Sequence, residues 1–164
     1  MIFILMFCLT VGITGSIAYA YLIDKNETVN QVRFVDMENK THIEEEFETP
    51  EDVDPGQIIK KKPCIFNDSE IPVYVRAMVS FSNSAAQELC EPISINKDWK
   101  EREDGYCYYQ KKLGSKERTN TIFDNIVIKN TIKKEEIIPF DVLVYEESVQ
   151  AEGFLTPEEA FAGM

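Results

Sequence analysis

In one stretch after another between Asn30 and Val149, the apolar residues of this chain fall at every second position. A period of two marks a strand with one covered face. Ile71 to Ser82 is the clearest case: Val73, Val75, Ala77, Val79 and Phe81 share one side, Tyr74, Arg76 and Met78 the other. Thr119 to Ile128 repeats it, with Ile122, Asp124, Ile126 and Ile128 opposite Phe123, Asn125 and Val127. Asn30 to Glu38, Thr41 to Glu48, the aromatic Tyr106 to Gln110 and the long Ile137 to Val149 are further strands. Gln57 to Asn67 is another, but Pro63 predicts a sheet edge or a bulge there, because proline has no N–H for a ladder. Turn chemistry separates the runs at Asn39-Lys40, Pro55-Gly56, Asn67-Asp68-Ser69, Asp104-Gly105 and Leu113-Gly114-Ser115. Only Ser84 to Leu89 reads as a short internal helix. Seven or eight strands without amphipathic helices between them predict an all-β fold, an antiparallel β-sandwich of jelly-roll type. At the end, Thr156-Pro157-Glu158-Glu159 starts a short helix, with Thr as N-cap, Pro at N1 and Glu at N3.

The other end is of a different kind. Met1 to Ile23 carries no charge, and every charged residue lies at or beyond Asp24. Such a run is long enough to cross a bilayer, and it closes on Ala18-Tyr19-Ala20, the small-x-small pattern that signal peptidases cut before a residue such as Tyr21. No Lys or Arg precedes the run, so it reads either as a cleaved signal peptide or as an uncut membrane anchor for an external domain. The expected organisation is 1–20 signal or anchor helix, 21–29 N-terminal extension, 30–154 β-sandwich and 155–164 helical tail.

With 29 acidic against 17 basic residues and a net charge of −12, nucleic acid is excluded as a partner, since phosphates would repel the chain. The basic run Lys60-Lys61-Lys62 reads as a guard on a strand edge or a contact to an acidic wall polymer. Of four cysteines, Cys8 lies in the apolar run, leaving Cys64, Cys90 and Cys107. Their spacing matches no zinc pattern; either Cys90–Cys107 forms one disulfide across a loop, or all three are buried thiols.

Catalytic chemistry finds little to stand on. The one histidine, His42, shares a strand face with Glu44 and Glu46, the pattern of a solvated face. There is no H-E-x-x-H, no G-x-S-x-G and no glycine-rich phosphate loop. Glu48, Glu51, Asp52 and Asp54 are dense enough for Ca²⁺, but their spacing fits no EF-hand and reads first as an exposed acidic loop. Trp99 with Tyr106, Tyr108 and Tyr109 forms a candidate ligand face for stacking on a carbohydrate; the alternative is ordinary cross-strand packing. Neither a metal nor any other cofactor is expected.

Several motifs, in order along nearly the whole chain, resemble one family. They are Ala20-Tyr21-Leu22-Ile23-Asp24, Asp54-Pro55-Gly56-Gln57, Lys62-Pro63, Asn67, Tyr74-Val75-Arg76, Trp99, Gly105-Tyr106-Cys107-Tyr108-Tyr109, Leu113-Gly114 and Glu147-Ser148-Val149-Gln150-Ala151-Glu152-Gly153-Phe154. The set resembles the TasA/camelysin-type exported proteins of Gram-positive bacteria, which carry a signal peptide cut by a SipW-type peptidase. The resemblance implies a jelly-roll sandwich, secretion, and assembly into biofilm-matrix fibres in which an extended N-terminal segment of one subunit completes the sheet of the next. Here that segment would be Tyr21 to Val29, with Leu22, Ile23 and Asp24 inside it. Camelysins have been labelled metalloproteases, but this sequence has no zinc motif to match.

The expected function is therefore a secreted structural subunit of an extracellular matrix or pilus-like fibre. Its expected partners are further copies of itself, the signal peptidase during export, and a cell-wall or matrix polymer. The alternative is a cell-surface binding module tethered by an uncut anchor and using the aromatic strand face. A metal-dependent hydrolase ranks third.

Overall fold

In the computed structural model of the chain, the described residues are 24–28 (main chain), 41–50 and 52–162. The apolar run, the Ala18/Ala20/Tyr21 junction, Leu22, Ile23, Val29 and the expected strand Asn30 to Glu38 lie outside them.

Among the described residues, eight strands form two antiparallel sheets. They are β1 (Asp24–Thr28), β2 (Thr41–Phe47), β3 (Ile58–Asn67), β4 (Val73–Phe81), β5 (Trp99–Glu101), β6 (Cys107–Tyr109), β7 (Asn125–Val127) and β8 (Val142–Gln150). The larger sheet has the order β1-β8-β4-β6-β5 and the smaller β2-β3-β7. Two short helices, α1 (Ser84–Leu89) and α2 (Pro157–Phe161), complete the described elements, with one 3-10 turn at Lys134–Glu136. No helix among the described residues is long and apolar enough to cross a membrane.

The alternation in β4 fixes which way the larger sheet faces. Val73, Val75 and Ala77 are buried in a core shared with Ile65 of β3, Ile126 of β7 and the buried Ile122, Phe123 and Ile128. The opposite face carries Tyr74 and Arg76. It is covered by α2 through Ala160 and Phe161, which pack with Tyr74, Tyr108 and Val149. The helical tail is thus an element of the fold. Thr156 caps it by accepting from Glu159 N at 3.2 Å, Pro157 opens it, and Tyr74 donates its hydroxyl to Leu155 O at 2.9 Å. Gly56 and Gly105 take positive φ, +78° and +81°, as the turns Pro55-Gly56 and Asp104-Gly105 require.

Three expectations are corrected. The strand with Pro63 is central, between β2 and β7, not an edge. The reason lies in how its N–H groups alternate. On one side Lys61 N donates to Asp124 O and Asn67 N to Glu117 O, while Ile65 N donates to the Thr119 hydroxyl at 3.0 Å. Pro63 falls in this series with no proton to give, and only its carbonyl is used, by Ile122 N at 2.8 Å. The missing donor coincides with the end of regular pairing, so the expected strand Thr119 to Ile128 shrinks to Asn125–Val127, and residues 117–124 follow β3 through irregular bonds. The final strand begins at Val142, not Ile137. Pro139 cannot join a ladder, and Asp141 instead exchanges hydrogen bonds with Ser82, accepting from its N–H at 2.9 Å and donating its own to the hydroxyl at 3.0 Å. Within the N-terminal extension, Asp24 to Thr28 is a strand paired with β8.

Candidate functional site

The outer edge of β8 and what lies on it form the candidate site. β8 is hydrogen-bonded on both sides. Toward the sheet interior it pairs with β4 from Val73↔Gln150 to Phe81↔Val142. On its other side lies β1, in the register Asp24↔Ser148 to Thr28↔Val144. The β1 sequence, Asp-Lys-Asn-Glu-Thr, contains no apolar residue. The described bond between the strands is thus the main-chain ladder, which any extended segment could supply. Behind it, β8 turns two polar residues inward beside the apolar Val144. Glu146 and Ser148 are 1 % and 3 % exposed, and the fully buried Thr41 of β2 has its hydroxyl 2.9 Å from Glu146 Oε2 and 3.0 Å from Ser148 Oγ. A buried carboxylate persists only when hydrogen-bonded. It lies where the inner faces of β2 and β8 meet.

The outward residues of β8 and β4 build a second cluster. Arg76 Nη2 and Nε donate to Glu147 Oε2 at 2.6 and 2.8 Å, and Nη1 donates to the Tyr108 hydroxyl at 2.8 Å. Tyr108 in turn donates to Asp104 Oδ2 at 2.6 Å. The guanidinium is clamped between the Tyr106 and Phe161 rings, at 4.0 and 4.6 Å from their centroids. Burial opposes the charge on Arg76, but the hydrogen bonds to Glu147 and Tyr108 outweigh it and raise its pKa. Burial first, then the hydrogen bond to Asp104, raises the Tyr108 phenol. Burial would raise Asp104 too, yet the bonds from Tyr108 and Tyr106 N win and hold it low. These three shifts all lead away from neutral pH, the direction that suits fixed anchors rather than proton carriers.

The aromatic strand is therefore no ligand face. Trp99 and Tyr109 oppose each other in register, are 4 % and 7 % exposed, and lie in the inter-sheet core with rings 5.1 Å apart. Tyr108 points the other way, buried under Phe161 with rings edge-on at 5.7 Å, and Tyr106 lies against Arg76. Strand alternation sends neighbouring tyrosines to opposite faces, and both faces are covered.

His42 sits on the outer face of β2, with Nε2 3.7 Å from Glu44 and its side chain 48 % exposed; no cluster of potential metal ligands occurs among the described residues. Asp52 and Asp54 are both engaged by Lys134 Nζ, at 2.5 and 2.8 Å. Cys64, Cys90 and Cys107 are free thiols. The Cys90–Cys107 bridge does not form, because Cys107 belongs to β6 of the larger sheet while Cys90 bridges by its backbone to Ile128, beside the smaller one. Burial raises the thiol of Cys107 to a pKa of about 11, helped by Glu101 and Asp104.

One residue the sequence did not single out is Lys61. The middle lysine of the basic run points inward and is 5 % exposed. Its ammonium lies 2.6 Å from Glu45 Oε1 and 4.7 Å from the Phe47 ring centroid, while Lys60, facing outward, pairs with Glu46. The period of two in β3 contained this signal.

Comparison with protein-family models, with curated proteins and with solved structures gives no match to this chain.

Proposed function

We propose that this chain is an exported structural subunit that joins to further copies of itself by strand addition at β8, within a jelly-roll-type sandwich. Removal of residues 1–20 would leave Tyr21 as the first residue, outside the cell or at its surface. The observation that carries the reading is the β1–β8 pairing: a short polar strand, next in sequence to the apolar run, holds the flank of a nine-residue strand by main-chain bonds. In sequence, residues 29–40 separate it from β2, and in the proposed exchange the strand leaves its own β8 and pairs with that of a neighbour. Such contacts are head to tail and need not close, which yields fibres. The charge of −12 per chain opposes association until salt screens it.

The test is deletion of Tyr21 to Val29 from the mature chain. The intact chain should form fibres at raised salt, seen in sedimentation and electron micrographs. The deleted chain should stay a folded monomer, and adding a peptide of Tyr21 to Val29 should give a one-to-one complex. Equal behaviour of the two chains refutes the proposal.

A further inference from the structure

Between the sheets, at the end where β8 begins, lies a cleft of about 400 Å³. That volume falls within the range of small-molecule sites. Its apolar surface comes from Ile59 of β3, Ile126 of β7, and Val53 and Phe140 on the two walls. The charged Lys61 also lines it. An ammonium has three N–H donors, and Glu45 is the acceptor found for Lys61 Nζ. A donor buried this deeply without an acceptor is costly, so the site favours an oxygen. Glu45 already cancels the charge, so that oxygen has no need of its own. At the rim, Asp52, Asp54 and Asp141 stand against Lys134, which ties the two walls together through Asp52 and Asp54. This acidic excess disfavours an anionic head.

We propose that the cleft binds an uncharged amphipathic small molecule, an acyl or aryl body carrying one carbonyl. The carbonyl oxygen accepts from Lys61 Nζ, and the body lies on Ile59, Ile126 and Phe140. This site is independent of the β8 edge and does not rest on assembly.

Nile red, uncharged and bearing a carbonyl, is the probe. Its fluorescence should shift to the blue and saturate at one dye per chain, and decanamide should displace it while decanoate should not. Val53→Trp, which fills the mouth from a wall residue outside the strands, should abolish binding while circular dichroism stays unchanged. The paired change Lys61→Met with Glu45→Gln should weaken decanamide about tenfold. Dye binding that is absent, that does not saturate, or that survives Val53→Trp overturns the proposal. Equal displacement by decanoate overturns the choice of an uncharged ligand. Loss of self-association in Val53→Trp would assign the cleft to a second copy instead.

Discussion

Phe161 to Ala is the substitution whose effect the structure specifies most closely. Helix α2 has five residues, too few to be helical alone in water. It holds its shape because it is docked, and Phe161 is the main anchor: 4 % exposed, edge-on to Tyr108 and beneath the Arg76 guanidinium. A buried aromatic ring removes roughly 150–250 Å² from water, which at about 25 cal/mol per Å² is worth up to roughly 4–6 kcal/mol. Core Phe→Ala changes cost about 3–5 kcal/mol. Here the loss has a ceiling, because the segment can detach once docking becomes unfavourable. What remains after the ring is gone is Ala160, the Tyr74–Leu155 hydrogen bond and the Arg102–Glu158 pair. We expect a stability loss of about 3 kcal/mol, or a fall in Tm of roughly 10 °C, with α2 open before the sheets unfold. Hydrogen exchange read by mass spectrometry separates the two events. The amides of Ala160 and Ala162, which donate to Thr156 O and Glu158 O, should lose protection while β4 and β8 keep theirs. Phe161→Leu should restore part of it. Unchanged protection in α2, or equal loss in α2, β4 and β8, would refute the argument that one ring latches the segment.

Asn67→Leu should cost about 3 kcal/mol in urea unfolding, because the fully buried amide donates to Ile71 O, Leu113 O and Gly114 O and accepts from Ser69, and leucine leaves those carbonyls without it. Cys107 gives a pH dependence of definite sign. Its native thiol titrates near pH 11, above the ordinary 9.0, so between those values the unfolded chain has released a proton that the native chain still holds, and stability must fall as pH rises. The loss should reach about 2–3 kcal/mol, and urea titrations at pH 8 and pH 10.5 should show a smaller decline in Cys107→Ala than in the parent chain.

How much of this was legible in the sequence varies with what decides each element. In β4, alternation alone separated Val75 and Ala77 from Tyr74 and Arg76, since one apolar face meets a core. The turns at Gly56 and Gly105 were legible because their chemistry is local, as was the capped start of α2. The aromatic strand misled because composition was read where alternation decides: three tyrosines within four residues cannot share a strand face. Lys61 was hidden by its neighbours, as a charged run reads as a surface until a partner such as Glu45, sixteen positions away, is known. Pro63 was read correctly for its chemistry and wrongly for its place. The missing N–H was accommodated by an irregular neighbour, residues 117–124, which no local pattern announces. The cleft was beyond reach for a similar reason, because its walls come from Val53, Ile126 and Phe140, brought together only by the fold.

The position of β8 bears on how the protein is made. It is the last of the described strands, yet it lies between β1 and β4. A ribosome delivers β1 through β7 with the slot between β1 and β4 still vacant, so the larger sheet cannot close until β8 has emerged. The closing contacts span most of the sequence, the arrangement that folds slowly. Under the export proposed above, such lateness would keep the chain a loose thread while threading lasts, to set only when β8 arrives.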